Sequence, residues 1–267
     1  MRISLLALDD VFDTGLSSLL DTFAFARALG RKVESAPSFD VRIVGLRSRV
    51  RTHHGFELDV SPWEPASADY LILPALFASS PADVDQLLGR SDVREVCEAL
   101  PSQGNTVLAA ACTSTFILAS SGVLAGRRAT TSWWLAPTFR ERFPDIQLDA
   151  SRMIVDAKER LTAGAAMAHV DLALWIVRRA SPTLANQVAA HLMAEPRPSQ
   201  APFQIPDHLA HTDLLVEKFE HWVRSNLESG SSIEDAARAV GASQRSLERR
   251  VRAAVGKTPV AFIHDIR

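Results

Sequence analysis

Four short, almost wholly apolar runs, each followed by a longer amphipathic stretch, constrain this 267-residue chain more than any other feature. They are "ISLLAL" at 3–8, "DVRIVGL" at 40–46, "DYLILPAL" at 69–76 and "NTVLAAAC" at 105–112. A strand exposed on one face alternates apolar and polar residues. A strand apolar on both faces needs helices above and below it. Leu16 to Leu29, Ala82 to Leu100 and Ser114 to Ser121 supply helical candidates for that cover. The β-α-β rhythm predicts an α/β fold with a doubly wound, mostly parallel sheet. Shorter strands, "RRATTS" and "DIQLD", come next, then "RMIVDAKERLTAG" with a turn at Asp156-Ala157-Lys158. Two helices close this part. "AAMAHVDLALWIVRRA" places Ala166, Val170, Ala173, Leu174 and Val177 on one face, and "PTLANQVAAHLMA" opens with proline at a first-turn position.

"EPRPSQAPFQIPDHLAHTD" then packs Pro196, Pro198, Pro202 and Pro206 into a short polar stretch, which reads as a linker. The expected division is 1–195 for the α/β domain, 196–211 for the linker and 212–267 for a small all-α domain. Hydrophobic content of 47% is ample for a buried core, and the net charge of −2 gives no global nucleic-acid signal. Charge is nevertheless uneven: 20 basic against 23 acidic side chains over 1–210, but 9 against 8 over 211–267. Two cysteines, Cys97 and Cys112, make no disulfide framework and fit a reducing compartment. "MRISLLALDD" is too short an apolar core for a signal peptide, and no run approaches a membrane span, so a cytoplasmic protein with no membrane partner is expected.

Beyond the linker the pattern is helical. "LLVEKFEHWVRSNL" aligns Val216, Phe219 and Val223 on one stripe. "SSIEDAARAVGASQRSLERRVRAAVG" reads as helix, tight turn, helix. Ser232 and Asp235 match a capping box, Gly241 sits where a helix ends in a left-handed residue, and Ser243 is placed to cap the second helix. That helix should bury Leu247, Val251 and Val255 and expose Arg245, Arg249 and Arg252. Five basic residues and one acid lie between Gln244 and Lys257. Two readings fit the spacing equally: a helix–turn–helix that puts its second helix in the major groove, or a helical bundle with a solvated basic face.

The segment "IEDAARAVGASQRSLERRVRAAVGKTPVAFIHDIR" resembles the first helix–turn–helix of an AraC-type DNA-binding domain. The resemblance rests on Ala236-Ala237, Gly241 and Ser243 in the turn, Leu247-x-Arg249-Arg250, and "GKTPVAFIHDIR" leading into a linking helix. It implies that Arg245, Glu248 and Arg249 face bases, with Ser243 and Gln244 near phosphate. Such readers carry two motifs, and this sequence reaches Arg267 within the linking helix, so a truncated reader is expected.

The preceding domain resembles the class I glutamine amidotransferase-like superfamily, which includes the intracellular protease and deglycase relatives. The carrying features are the strand ending "AAAC", "GVLAGRRATTSWW", "RFPDIQLD", "ERLTAGAAMAHVDLALWIV" and "QAPF". The two domains stand in the order used by one family of AraC-type regulators. The resemblance implies a flavodoxin-like sheet and a cysteine at a strained strand-to-helix elbow, where a helix N-terminus favours thiolate. A histidine twenty residues on would be its partner, and an acid early in the first helix would contact the thiol. Here Cys112 is present, the histidine position holds Ser132, the acid position falls on Gly15, and the loop "LPALFA" around Ala75 lacks glycine.

Serine cannot take a proton near neutral pH as imidazole can, so the domain is not expected to be an enzyme. Asp13 lies close enough to approach the site, and a thiol at a helix N-terminus can be acidic without histidine. Cys112 can thus be a catalyst, a pocket wall or a core residue. A ligand pocket is expected from Asp13, Gly15, Ala75, Cys112, Thr113, Ser132 and Trp133, with Trp134 as a further aromatic neighbour. His53-His54 and His208-x-x-His211 lack the further ligands of a zinc site, and His169 reads as a satisfied core residue. No metal or cofactor is expected. The expected partners are DNA, a small-molecule effector and a second copy bound through the N-terminal domain. The rival readings are a cysteine-dependent hydrolase or lyase with an appended helical domain, and a purely structural dimerisation module.

Overall fold

Strand pairing follows the apolar runs. The computed structural model describes residues 1–33, 37–203, 213–226, 232–255 and 257–266. They divide into two compact units, Met1–Pro202 and Phe203–Arg267.

In the first unit, β1 (Arg2–Leu6) pairs in parallel with β2 (Asp40–Gly45) and β6 (Tyr70–Leu73), and β6 pairs in parallel with β7 (Val107–Ala111). Between β2 and β6 lie a small antiparallel pair, β3 (Arg49–Arg51) with β4 (Glu57–Asp59), and the two-residue β5 (Ser61–Pro62). Beyond β7 come β8 (Arg128–Ala129) and β9 (Gln147–Leu148), much shorter than "RRATTS" and "DIQLD" suggested. The hairpin of β10 (Ile154–Asp156) and β11 (Arg160–Ala163) turns at the expected place, with Lys158 at φ +64°. The main sheet runs β10-β11-β7-β6-β1-β2-β5, parallel except at the β10 edge. Taking only its five principal strands, the order is the doubly wound 2-1-3-4-5, and ligand crevices in such sheets open where strand order reverses, here between β1 and β6.

The helices are α1 (Asp13–Gly30), α2 (Pro81–Gly89), α3 (Ser91–Ala99), α4 (Thr115–Ser120), α5 (Ala136–Arg142), α6 (Ala168–Ala180) and α7 (Pro182–His191). α1 packs with α6 and α7, while α2, α3 and α4 pack together, giving the sheet two helical layers. The strands β1, β6 and β7 are buried over nearly their whole length, as their apolar runs predict, but β2 exposes Asp40 and Arg42. Ala82 to Leu100 is two helices, broken at Arg90, whose ψ of 142° is extended. α6 starts two residues after Ala166, and its buried face takes in Ala168, His169, Leu172 and Ile176 as well as Ala173, Leu174 and Val177. Val170 is only half-buried. The Pro-rich segment begins inside this unit: Ser199 bridges Arg152, and Gln200 is buried.

The second unit contains α8 (Leu214–Ser225), α9 (Ile233–Ala239), α10 (Gln244–Val255) and α11 (Pro259–Ile266). Val216, Phe219 and Val223 form the buried stripe expected of α8 and meet Leu247, Val251 and Phe262 in a small core. The Ser232–Asp235 capping box opens α9, and Gly241 at φ +73° ends it, with the Ala242 N–H returning to the Ala237 carbonyl at 2.9 Å.

Candidate functional site

Cys112 stands at the carboxyl end of β7, where the chain leaves the strand through a tight 3-10 turn into α4. Its φ is +57°, a left-handed conformation that costs an L-residue about 1–2 kcal/mol. The elbow is held from several sides. The Thr131 hydroxyl donates to the Cys112 carbonyl at 2.8 Å, the Thr113 hydroxyl to the Leu76 carbonyl at 2.5 Å, and the Ser114 hydroxyl to the Pro74 carbonyl at 2.6 Å. Cys112 Sγ and Ser132 Oγ lie 2.8 Å apart, so the residue at the expected histidine position does meet the thiol. Ser132 is completely buried and Cys112 is 5% exposed. Burial pushes the thiol pKa up, and the bonds from Ser132 and Thr113 do not reverse that. The short turn at Cys112 therefore does not yield an acidic thiol.

Gly15 and Ala75 are joined through a residue that sequence reasoning placed in the core. The His169 imidazole accepts the Ala75 backbone N–H at Nε2, 3.1 Å, and its Nδ1 donates to the Ala166 carbonyl at 2.5 Å. This pairing makes the ring neutral, and burial lowers its pKa to about 4. A Cβ on Gly15 would lie 2.7 Å from His169 Nε2, so the ring fills the space that a side chain at the expected acid position would need. It also takes up the Ala75 N–H of the loop "LPALFA".

Asp13 is tied to His54. Its Oδ2 accepts the His54 backbone N–H at 3.1 Å and meets His54 Nδ1 at 2.8 Å. Burial would raise its pKa, but bonds with Thr52 and His54 outweigh burial and hold the carboxyl below the usual value. His53 stacks on Phe77 with ring centroids 3.8 Å apart, and no group of three metal-ligating side chains occurs among the described residues. His208 and His211 lie outside the described residues. Trp133 and Trp134 meet edge to face at 5.5 Å beside Ser132.

Of the expected pocket residues, the fold thus links Cys112 to Ser132, and Ala75 to Gly15 through His169. Asp13 instead binds His54. Two recesses of this unit, about 410 and 340 Å³, open elsewhere, beside Arg2, Asp40 and Arg42 and beside Trp175, Arg178 and Arg197. Gln200, the first residue of "QAPF", has a role that the sequence did not assign. Its Nε2 donates to the Thr131 carbonyl at 2.8 Å and Thr130 Oγ1 at 3.2 Å, while its Oε1 accepts the Ala165 N–H at 3.2 Å. Gly164 leaves room for it, since a Cβ there would lie 2.6 Å from Oε1. These partners lie 35 to 70 residues away, so no local pattern could signal them.

In the second unit, α10 presents two chemistries. Leu247, Val251, Ala254 and Val255 are buried, whereas Arg245, Arg249 and Arg252 are exposed. Ser243 accepts the Ser246 N–H at 3.2 Å, as a cap should, and Gln244 Nε2 donates to Glu248 Oε1 at 3.0 Å. Arg250 turns inward, its Nε donating at 2.7 Å to Asp213, which also caps α8. Ser243, Arg245, Ser246, Glu248, Arg249 and Arg252 line one open recess.

The first unit has the fold of DJ-1. Drosophila melanogaster DJ-1beta superposes with a TM-score of 0.56 at 17% identity, covering 73% of this chain and 98% of that one. An AraC family transcriptional regulator from Pseudomonas putida superposes equally well, 0.56 at 19% identity, over 72% of this chain and 98% of that chain. No protein-family model matches the chain. In sequence it is 26% identical over 159 residues to the HTH-type transcriptional regulator CdhR of Pseudomonas aeruginosa, spanning 58% of this chain and 47% of that protein. The chain spans about half the length of the curated relatives it matches, and these are named as transcriptional regulators. No helix among the described residues is long and apolar enough to cross a membrane.

Proposed function

We propose that the chain is a DNA-binding transcriptional regulator working in the cytoplasm, whose DJ-1-like unit is catalytically idle and senses a small molecule, dimerises, or does both. The observation that carries this reading is the division of α10, with a buried apolar stripe on one side and Arg245, Arg249 and Arg252 on the other. Arg245 and Arg249 are one helical turn apart, suited to guanine edges or phosphates in the major groove. Ser243 and Gln244 at the start of the helix stand on the side where phosphate would pass.

Three features of the first unit support idleness. The Cys112 thiol is held neutral, Ser132 is no base, and the Ala75 N–H is already bonded to His169. Effector sensing belongs to the strand ends around Asp13, Gly15, Ala75, Cys112, Thr113, Ser132 and Trp133, because this is where strand order reverses. The reading needs no metal or cofactor. Its test is equilibrium binding of the full chain to duplex DNA, with Arg249→Ala. Binding that the substitution weakens supports it, and no binding to any duplex overturns it.

One observation favours a second reading, cysteine-dependent hydrolase or lyase chemistry: the positive φ of Cys112, since strain of this kind is often kept where chemistry uses it. A screen of esters, amides and glyoxals separates the two. Turnover abolished by Cys112→Ala would establish the second reading for the first unit.

A further inference from the structure

The other arginines of the second unit set off those on the α10 face. Arg224 donates to Glu220 at 2.7 Å, Arg238 lies 3.6 Å from Glu234 and 3.7 Å from Asp235, and Arg250 donates to Asp213 at 2.7 Å. Among the described residues, Arg245, Arg249 and Arg252 have no such carboxylate partner. Yet a carboxylate stands in their midst. Glu248 lies three residues after Arg245 and four before Arg252, the spacing at which helical ion pairs form. Its hydrogen bond goes instead to the neutral amide of Gln244, at 3.0 Å through Oε1. Oε2 has no hydrogen bond among the described residues.

A surface that binds only phosphates gains from every cation and loses from every carboxylate. A half-buried carboxylate, oriented by an amide and leaving three guanidinium groups free, has another use. In the major groove the N4 amino group of cytosine is a donor that a carboxylate accepts, and the O6 and N7 of guanine are acceptors that arginine reads.

We infer that Glu248 is the specificity-determining acceptor of this helix, reading cytosine N4 in a duplex beside bases read by Arg245 or Arg249. Gln244 is its positioning residue: it holds one carboxylate oxygen, aims the other, and keeps Glu248 from swinging onto Arg252. The inference rests on the DNA-binding reading above and gives Gln244 a task other than phosphate contact.

The experiment is selection of the full chain, Glu248→Ala and Gln244→Ala on a randomised duplex pool, followed by affinity measurements on the selected sites. Wild type is expected to select a cytosine at one position. Glu248→Ala should lose that preference by about tenfold, with preferences at other positions intact and affinity for random duplex equal or higher. Gln244→Ala should weaken the preference at the same position only, a pattern that a merely structural helix defect would not give. Retention of the cytosine preference by Glu248→Ala, or an even loss at every position, would overturn the assignment alone. Failure of wild type to bind any duplex would overturn the DNA-binding reading itself, an outcome plainly distinct from either.

Discussion

Gly15 and His169 illustrate how one missing side chain redirects a site. Gly15→Ala would place a methyl against a ring fixed by two hydrogen bonds, and should cost about 1–3 kcal/mol in urea denaturation. Combined with His169→Ala, the loss should be smaller than the sum of the two single losses, because both act on one contact. The same histidine makes a pH prediction. Its folded pKa, about 4, lies below the ordinary 6.5, so between those values the unfolded chain binds the extra proton. Stability is then full above pH 6.5 and falls as pH drops towards 4, by about 3 kcal/mol in all. Asp13, Asp92 and Asp149, whose pKa values are lowered, add losses only as pH falls below the carboxylate value of 3.8. His169→Gln should therefore flatten the curve of unfolding free energy between pH 7 and pH 4.5. Neutral thiols predict slow alkylation: Cys112 at the elbow is buried, and burial pushes Cys97 in α3 up to about 11. Native protein at pH 7.5 should react far more slowly with iodoacetamide than urea-unfolded protein, and a fast-reacting Cys112 would contradict its burial.

At the scale of elements, the placement of α10 depends on a few polar ties around a small core. Arg250 couples it to the N-terminus of α8 through Asp213, which also accepts the N–H groups of Leu215 and Val216. Because Arg250 is 43% exposed, solvent screening limits the pair, and Arg250→Ala should lower stability by about 1 kcal/mol. Its effect on DNA affinity should exceed its effect on stability, because a helix that pivots loses several contacts together. Thermal melts and binding curves of the same samples check this, and Arg250→Lys should recover little, since lysine lacks the directional Nε donor. Ser232→Ala, which removes the hydroxyl that accepts the Asp235 N–H but leaves the Ser232 N–H on the Asp235 carboxylate, should cost about 1 kcal/mol in the same melts.

For the whole molecule, a net charge of −2 means that DNA affinity must come from a local field and not from overall attraction. Binding should therefore fall steeply with salt. Removing an arginine that touches phosphate should reduce the slope of log K against log salt by about 1. Arg252→Ala, at the far end of the exposed face, is expected to behave this way with sequence preference unchanged. Arg249→Ala should alter the preference. Salt titrations of both variants on one selected duplex and one scrambled duplex check the distinction.

The order of apolar runs was enough to specify the parallel sheet, and residue types or spacing within one or two turns of chain specified the hairpin turn at Lys158, the capping box at Ser232 and the apolar stripe of α10. The pairing of Cys112 with Ser132 was legible through the resemblance, which places Ser132 where the partner of the elbow cysteine stands. What sequence could not supply were contacts between distant segments. Nothing local marks His169 as the ring that fills the space beside Gly15, or Gln200 as the amide that ties together Thr130, Thr131 and Ala165. Nor could spacing show that Gln244, and not an arginine, holds Glu248, since several partners lie within reach on one helix and only the packed backbone selects among them. Local periodicity and capping settled which elements form, because each is decided by neighbours in the chain. Burial, side-chain direction and the choice of hydrogen-bond partner belong to the tertiary structure, because they depend on which remote groups the folded sheet and helices bring within 3 Å.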